Sequence, residues 1–231
     1  MKKVFYGITL ARSQSKGLYN KNLRKIGKKN LIEICLNNAI KSKFLKKIFL
    51  CSDSKKILKY SKKYQCIGIQ RPKKLSMDKT HVFEVLNFLL KNKKIFYAEK
   101  NTKKYIVLLS PTSPLRRTSH IDTAIKKTIK ENCSSLVSIT KNEKCIFKSV
   151  LINKKKIKPV FKINFINRNR QDFQNTYMPN GLIFIFDINL FLKKNRIISS
   201  NCAYLLNNKY EAIDIDTKDD LKLVKKLMKK K

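Results

Sequence analysis

The feature that most constrains the fold of this chain is a regular alternation of short apolar runs with amphipathic stretches. Residues 4–11, 47–51 and 105–109 are runs of β-branched, aromatic and aliphatic side chains, and segments with helical spacing separate them. Strands that are separated by helices of about 10–15 residues pair in parallel through crossover connections. The chain is therefore predicted to form an α/β fold, a three-layer Rossmann-like sandwich around a mostly parallel sheet.

The remaining elements extend this pattern along the chain. We predict further strands at residues 66–70, 136–140, 181–187 and 212–215, and helices at residues 30–40, 54–63, 81–90, 119–130 and 217–228. Between residues 142 and 178 the alternation gives way to short strand-like pieces and polar loops. Because the sequence shows no internal repeat or linker, residues 1–231 are predicted to form one domain that carries a β-rich arm.

The net charge of the chain is large, but it restricts the possible functions only weakly. Lys and Arg number 54 against 15 Asp and Glu, a net charge of +39, which favours anionic partners such as nucleic acid or phosphorylated substrates. Only eight of the basic residues are Arg, however, and the lysines are spread over nearly every segment. Arg supplies the bidentate contacts that nucleic-acid recognition uses. We therefore do not expect nucleic acid as a partner.

The cysteines and the apolar runs argue against two further classes of protein. The six cysteines are scattered without a C-x-x-C pair, so neither a zinc site nor a disulfide framework is expected. Free thiols of this kind are typical of a reducing cytoplasm, where we place the protein. No apolar run reaches the roughly 20 residues that a spanning helix needs, so we expect no membrane segment.

The loop that follows the first strand is the strongest candidate for a ligand site. Ligands of doubly wound folds bind at the carboxyl ends of the strands, and this loop combines small residues with Arg12, Lys16 and Lys21. Backbone N–H groups and three cations suit a polyphosphate. The loop matches neither the Rossmann nor the P-loop glycine pattern. From its residues alone, a nucleotide site and an exposed basic loop are equally open.

From Ala11 to Asn22 the same loop resembles the nucleotide-binding loop of the acylneuraminate cytidylyltransferases, the CMP-sialic acid synthetases, which reads approximately A-R-x-x-S-K-G-hydrophobic-x-x-K-N. Further blocks follow in the order of that family: C-S-D-S at 51–54, R-P-x-x-L-x-x-D at 71–78, L-L-S-P-T-S-P-L-R at 108–116, R-Q at 170–171, P-N-G at 179–181 and I-D-I-D-T-x-x-D-L at 213–221. These blocks span nearly the whole chain, which is identified on this resemblance as a member of the family.

The resemblance implies a reaction and a set of nucleotide-binding residues. The anomeric hydroxyl of an acidic nine-carbon keto-sugar, N-acetylneuraminate or a related nonulosonate, attacks the α-phosphate of CTP and pyrophosphate leaves. Arg12 and Lys21 are the candidates for neutralising the leaving phosphates, and Asn22 and Arg71 for holding the base and ribose. The nucleotide-binding residues that the family motif implies are Ala11, Arg12, Ser15, Lys16, Gly17, Lys21, Asn22 and Arg71.

Asp214 and Asp216 are the predicted metal ligands and, together with Arg12 and Lys21, the predicted catalytic residues. They are two of only 15 acidic residues and alternate along an apolar segment, so both carboxylates are expected on one side. Two adjacent oxygen ligands suit Mg²⁺ or Mn²⁺, which take their other ligands from phosphate and water. One carboxylate is also a candidate to help deprotonate the attacking hydroxyl. The alternative is that Asp216 only caps the final helix.

The sugar-binding residues that the resemblance implies lie in three blocks and are Ser110, Thr112, Arg170, Gln171 and Asn180. Two positions depart from the family pattern. Ser110 stands where the family usually has Gln, and Met178 stands before Pro-Asn-Gly where the family often has Arg. Because these residue types contact the sugar in the family, N-acetylneuraminate, pseudaminic, legionaminic and octulosonic acids stay open as substrates.

Residues 142–178 match the region that forms a dimerisation arm in this family, so the resemblance also implies a homodimer. A rival interpretation is a basic nucleic-acid-binding module on a degenerate nucleotidyltransferase scaffold. It predicts a continuous stripe of Lys and Arg and no need for the two aspartates. An enzyme, in contrast, must bring Arg12, Lys21, Asp214 and Asp216 to one cleft.

Overall fold

A sheet of seven strands forms the centre of the computed structural model, which describes residues 1–14, 17–92, 96 and 101–229. The strands are β1 (Lys2–Leu10), β2 (Lys25–Ile26), β3 (Lys29–Asn30), β4 (Leu45–Ser52), β5 (Ile67–Gln70), β6 (Thr102–Leu108), β7 (Ser135–Lys141), β8 (Val150–Asn153), β9 (Lys156–Pro159), β10 (Tyr177–Asp187) and β11 (Cys202–Leu206). The helices are α1 (Leu31–Ile40), α2 (Lys55–Lys63), α3 (Val82–Asn92), α4 (Thr118–Lys130), α5 (Asn164–Asn167), α6 (Ile188–Lys194) and α7 (Lys218–Lys229). In this part of the chain, no helix combines the length and the apolar character needed to cross a membrane.

The sheet has the strand order β11-β7-β10-β6-β1-β4-β5, and β10 alone among these seven runs against its neighbours. On β10, Ile185 lies opposite Val107 of β6 on one side and Leu136 of β7 on the other, antiparallel to both. The strand β1 lies inside the sheet, parallel to both β4 and β6. The predicted, mostly parallel sheet is confirmed.

Side chains of β1 alternate between two apolar layers. Tyr6 and Ile8 pack against Leu86 of α3 and Phe191 of α6 in one cluster of buried residues. Phe5 belongs to a second cluster, in which buried side chains of α1 and α4 pack against the opposite face. Because successive side chains of a strand point to opposite faces, helices cover the sheet on both sides. The predicted three-layer sandwich is confirmed.

Polar side chains cap the starts of two helices. Asn30 accepts a hydrogen bond from the backbone N–H of Glu33, and the Glu33 carboxylate accepts one from the N–H of Asn30. This capping box satisfies two donors at the start of α1. At α2, the hydroxyl of Ser54 accepts a hydrogen bond from the N–H of Ile57.

The last part of the chain departs from the predicted elements. The strand predicted at residues 212–215 is wrong, because this segment pairs with no strand of the described residues. A backbone hydrogen bond of 2.8 Å from Ile215 N to Thr112 O holds it instead. Conversely, α6 and β11 form where the sequence predicted neither. The strand β11 is a short edge strand that pairs only with β7 within the described residues, so it lacks the long apolar run of a central strand.

The predicted β-rich arm contains the hairpin of β8 and β9, the single turn α5 and its own aromatic cluster. The ring of Phe147 stacks on Phe173 at a centroid distance of 5.2 Å, with Phe161 and Phe165 alongside. The hairpin leaves apolar side chains in contact with solvent, and Ile152 is 82% exposed. The arm therefore has an aromatic cluster of its own, whose rings are at most partly buried, and an uncovered apolar surface.

Candidate active site

A cavity of about 340 Å³ lies at the carboxyl ends of the central parallel strands. Its walls come from the loops that follow β1, β5 and β6 and from the start of α3. The residues predicted from the sequence to act at one site, and that line this cavity, are Arg12, Lys21, Asn22, Arg71, Ser110 and Thr112. The fold thus brings together six predicted residues from three separate sequence blocks.

The start of the loop after β1 is held by hydrogen bonds from two directions. The side-chain amide of Asn22 donates to the carbonyl oxygen of Arg12 at 2.9 Å. The carboxylate of Asp53 accepts hydrogen bonds from the N–H of Ser13 at 2.9 Å and from its hydroxyl at 2.5 Å. Burial would raise the pKa of Asp53, but these two hydrogen bonds outweigh it and lower the pKa. A charged Asp53 therefore fixes the turn that carries Arg12.

The far side of the same loop packs directly on the segment that carries the two aspartates. A Cβ atom on Gly17 would lie 2.7 Å from the backbone oxygen of Asp216, so this contact requires glycine. Ala11 is fully buried and donates its N–H to the carbonyl of Cys51. Ser15 and Lys16, which the motif also assigns to the nucleotide, lie outside the described residues.

Two cations of the cavity each form an ion pair with a carboxylate. Arg12 Nη1 lies 2.9 Å from Asp78 Oδ1, and Lys21 Nζ lies 2.7 Å from Asp216 Oδ1. Asp78 lines the cavity as well. The sequence did not predict a role in the site for Asp53 or Asp78, although both stand in the quoted motif blocks and belong to a set of only 15 acids.

Arg71 places a positive charge in the wall of the cavity with little water around it. The residue is only 6% exposed, and its Nε has no hydrogen-bond partner among the described residues. Burial lowers the pKa of Arg71, an effect that the nearby carboxylate of Asp53 opposes. A poorly hydrated guanidinium interacts strongly with anionic or acceptor groups of a ligand.

Asp214 and Asp216 flank Ile215, whose side chain is fully buried, so the two carboxylates emerge on the side away from the core. Asp214 is exposed in part, yet loss of hydration at its carboxylate raises its pKa, and the charge of Asp216 adds to the rise. A hydrogen bond from Thr112 and the charge of Lys21 act in the opposite direction. The carboxylate pair is therefore continuous with the cavity through Thr112 and Lys21.

The helix that follows is capped by other residues. The Thr217 hydroxyl accepts a hydrogen bond from the N–H of Asp220 at 3.2 Å, and the Asp220 carboxylate accepts from the N–H groups of Asp216 and Thr217. The side chain of Asp216 is thus not needed as the cap of α7, which was the alternative to a role in the site.

The donor set of this pair fits a hard divalent cation. Both candidate ligands would offer carboxylate oxygens, and within the described ranges no group of three or more His, Cys, Asp and Glu could hold a metal ion. Such a site leaves most coordination positions to water and to a phosphate ligand, as Mg²⁺ prefers. It does not fit zinc, which takes nitrogen and sulfur ligands in a closed shell in structural sites.

The buried side chain of Arg116 anchors the turn after β6 to the core. Its guanidinium is 1% exposed and donates to the carbonyl of Leu182 at 3.0 Å and to the sulfur of Cys35 at 2.9 Å. Arg116 therefore packs in the core and supports the turn from inside the protein. Above it, the hydroxyls of Ser110 and Thr112 share a hydrogen bond of 2.6 Å at the cavity.

The other predicted sugar-binding residues lie apart from this cavity in the described structure. Arg170 lines a second cavity of about 480 Å³ beyond the ends of β7 and β11, together with Thr140 and Lys209. Asn180 donates to Thr140 Oγ1 at 2.7 Å and thereby bridges β7 and β10. Gln171 lies exposed in a short turn of the arm. A sugar site that includes these residues stays a prediction.

Comparison with known proteins gives a consistent group of relatives. The family model described as "Cytidylyltransferase" matches residues 6–229. The chain is 28% identical to an N-acylneuraminate cytidylyltransferase of Escherichia coli, covering all of this chain and 54% of that protein. It is 29% identical to a CMP-N,N'-diacetyllegionaminic acid synthase of Campylobacter jejuni, covering 94% of this chain and 92% of that one.

The lengths and structures of the relatives add two facts. The chain spans about half the length of the N-acylneuraminate cytidylyltransferases that it matches. A solved structure of CMP:2-keto-3-deoxy-manno-octonic acid synthetase complexed with CTP superposes with a TM-score of 0.70, covering 100% of this chain and 99% of that one at 13% identity. At this identity the superposition establishes a common fold.

Proposed function

The chain belongs to the cytidylyltransferase family, and from that premise we propose that it transfers CMP from CTP to the anomeric hydroxyl of an acidic keto-sugar. The observation that carries the proposal is the cavity at the carboxyl edge of the sheet. Arg12, Lys21 and Arg71 all line this cavity. The ion pair between Lys21 and Asp216 connects the cavity to the two aspartates. Cations for a triphosphate and oxygen ligands for a metal thus lie side by side.

The two ends of the cavity suit the two ends of a nucleotide. Arg12 and Lys21 supply positive charge where the β- and γ-phosphates would lie. Arg71, Leu75 and Val85 form a more apolar wall with one buried cation, which suits a base and its polar edge. Asn22 binds the nucleotide indirectly in this proposal, because its side chain holds the carbonyl of Arg12.

In the proposed reaction, the sugar hydroxyl oxygen forms a bond to the α-phosphorus while the bond from that phosphorus to the bridging oxygen of pyrophosphate breaks. The hydroxyl proton is lost, and Asp214 is the proposed acceptor, since its environment raises its pKa. Arg12 and Lys21 stabilise the negative charge that develops on the leaving pyrophosphate. Thr112 orients Asp214 through its hydrogen bond.

Asp214 and Asp216 are the proposed ligands of Mg²⁺ or Mn²⁺. When bound, such a cation neutralises phosphate charge and polarises the α-phosphoryl group. The protein contribution is to hold two carboxylates on one side of an extended segment, which the burial of Ile215 and its hydrogen bond to Thr112 fix. Lys21 limits the repulsion between the two carboxylates by pairing with Asp216.

For the acceptor we propose N-acetylneuraminate or a related nonulosonate, and legionaminic, pseudaminic or octulosonic acid as alternatives. The alternatives gain support because a relative named for N,N'-diacetyllegionaminic acid is 29% identical to this chain, against 28% for the relative named for N-acylneuraminate. Ser110 also has a side chain too short for the contact that Gln makes in the family pattern. Its hydroxyl instead bonds to Thr112 in the cavity wall.

We also propose a homodimer that the arm holds together. The support is the exposed apolar surface of its hairpin, where Leu151 is 59%, Ile152 82% and Ile157 64% exposed. Side chains of this kind are stabilised when another surface covers them. A partner arm would also be a route by which Arg170 reaches a sugar site that its own chain does not complete.

The function is tested by measuring pyrophosphate release from CTP with Mg²⁺ across a panel of keto-sugar acids. We expect release with at least one nonulosonate and none with UTP or ATP in place of CTP. Absence of release with every sugar, together with salt-sensitive binding of RNA or DNA, would support the basic nucleic-acid-binding module instead. Mass spectrometry of the product identifies the CMP-sugar and therefore the acceptor.

A further inference from the structure

We propose that Asp78 is a positioning residue that sets the affinity of the cavity for triphosphate and pyrophosphate by holding Arg12 before either ligand arrives. The inference rests on the proposed function, because it requires Arg12 to bind the β- and γ-phosphates of CTP. Asp78 acts through Arg12 and takes no part in the bond changes.

The geometry places the Arg12–Asp78 ion pair on the ligand side of the cavity. Arg12 Nη1 and Asp78 Oδ1 are 2.9 Å apart, and the two side chains are 32% and 39% exposed. Both residues line the same cavity although they come from loops after different strands, β1 and β5. The pair therefore links two walls at the place where phosphate would enter.

The wall that carries Asp78 is a compact local structure. The 3-10 turn Lys73–Ser76 begins after Pro72, whose carbonyl accepts the N–H of Leu75 at 3.0 Å. The Thr80 hydroxyl donates a hydrogen bond of 3.2 Å to the carbonyl of Lys74. Leu75, Ser76, Met77, Asp78 and Thr80 all line the cavity. The ion pair with Arg12 therefore connects the loop after β1 to a wall that has its own internal hydrogen bonds.

The charge of Asp78 opposes the ligand that Arg12 would bind. A triphosphate that takes the guanidinium must displace the carboxylate or lie next to it, and like charges in a partly dehydrated cavity repel. A half-exposed ion pair contributes modestly, so the effect corresponds to about 2- to 5-fold in affinity. CMP lacks the β- and γ-phosphates, so its affinity should not depend on the charge of Asp78. The pair thus weakens pyrophosphate more than CMP, which favours release of that product.

The chain offers a matched control for the charge change. Glu131 is 45% exposed and pairs with Lys127 at 3.5 Å, much as Asp78 pairs with Arg12. It follows α4, which runs from the carboxyl edge of the sheet toward the opposite edge, so it lies away from the cavity. Asp78→Asn and Glu131→Gln change the net charge equally, and any difference between them is local.

The experiment is calorimetric titration of the full chain and both variants with CTP, pyrophosphate and CMP. We expect Asp78→Asn to bind CTP and pyrophosphate about 2- to 5-fold more tightly, and CMP with the wild-type Kd. Glu131→Gln should match the wild type for all three ligands. In steady-state assays, Asp78→Asn should lower KM for CTP without raising kcat, a split that a purely structural role would not produce.

Three results would overturn the inference. Weaker CTP binding by Asp78→Asn would mean that Asp78 assists triphosphate binding, and unchanged binding would mean that it has no effect on it. Equal tightening for CMP, or for Glu131→Gln, means that the net charge of the protein sets the affinity. If the wild-type chain binds no CTP, the proposed function itself fails, a result distinct from wild-type binding that the substitution leaves unaltered.

Discussion

Lys21 donates a 2.7 Å hydrogen bond to the carboxylate of Asp216, although 195 positions separate the two residues. The Lys21 side chain is 17% exposed and that of Asp216 is 71% exposed, so the pair lies at the border between the cavity wall and solvent. This contact joins the loop after the first strand to the segment before the last helix. It is the point where the proposed phosphate and metal sites meet.

Asp216→Asn is expected to lower kcat for pyrophosphate release by about 100-fold or more, because it removes a metal ligand and leaves Lys21 without its partner. The variant should also need more Mg²⁺ for half-maximal activity. Asp219→Asn is the control, since Asp219 is exposed and pairs only locally with Lys222 in the described structure. Equal activity of the Asp216 variant and the wild type would contradict the metal assignment.

Gly17→Ala is expected to reduce turnover about 10-fold or more, because its Cβ would meet the Asp216 carbonyl at 2.7 Å and push the nucleotide loop away from the aspartates. Gly27→Ala is a matched control at a glycine with φ of +59° and no atom within 4 Å of the added Cβ. It should cost about 1 kcal/mol of stability through backbone strain and leave turnover intact. Activity and thermal unfolding, measured on both variants, separate the two effects.

Glu33→Gln tests a pH-dependent contribution to stability. Burial would raise the pKa of Glu33, but hydrogen bonds from Lys63 and from the N–H of Asn30 outweigh it and hold the pKa below 4.5. A lowered carboxyl pKa stabilises the fold above 4.5, and this contribution disappears as the pH falls through the lower, folded value.

Glutamine keeps an oxygen for the cap of α1, so the variant should lose only the charge interaction. We expect about 1 kcal/mol less stability than the wild type at neutral pH, and a difference that shrinks below pH 4.5. Urea unfolding across this range is the measurement. A deficit that stays constant with pH would show that packing, and not charge, was lost.

Ile152→Asp is expected to shift the protein from dimer toward monomer, because it places a charge in the apolar surface of the arm. Sedimentation velocity at several concentrations measures the change. Leu223→Asp, at an exposed apolar position of α7, should leave the dimer intact. Wild-type protein that sediments as a monomer at all concentrations would contradict the proposed homodimer.

Much of the sheet could be predicted because its central strands are buried on both faces and read as apolar runs. The direction of β10 could not, since Ile183 and Ile185 show the same apolar pattern in either orientation. The strand β11 was missed because only one of its residues, Ala203, is buried. Residues 212–215 have the composition of a strand, but Ile215 is held by a loop, at Thr112, and not by a neighbouring strand.

For the site, the family resemblance assigned most of the residues, and their positions after strands explain why the fold brings them together. Arg12, Arg71 and Thr112 each follow a parallel strand, so the topology alone brings them to one edge. The partners of these residues were not predictable in the same way. Asp53 accepts a hydrogen bond from Ser13, and Asp78 pairs with Arg12. Both contacts depend on how two loops fold against each other.

The hydrogen bond from Ile215 to Thr112 also has a consequence for the order in which the protein is made. The cations Arg12 and Lys21 leave the ribosome with the first strand, whereas Asp216 follows only after the strands of the sheet have emerged. A nascent chain thus displays the cations without one of their carboxylate partners, open to any polyanion nearby. The two aspartates reach the cations through the contact of Ile215 with Thr112, so that contact brings together parts of the cavity that are made at different times.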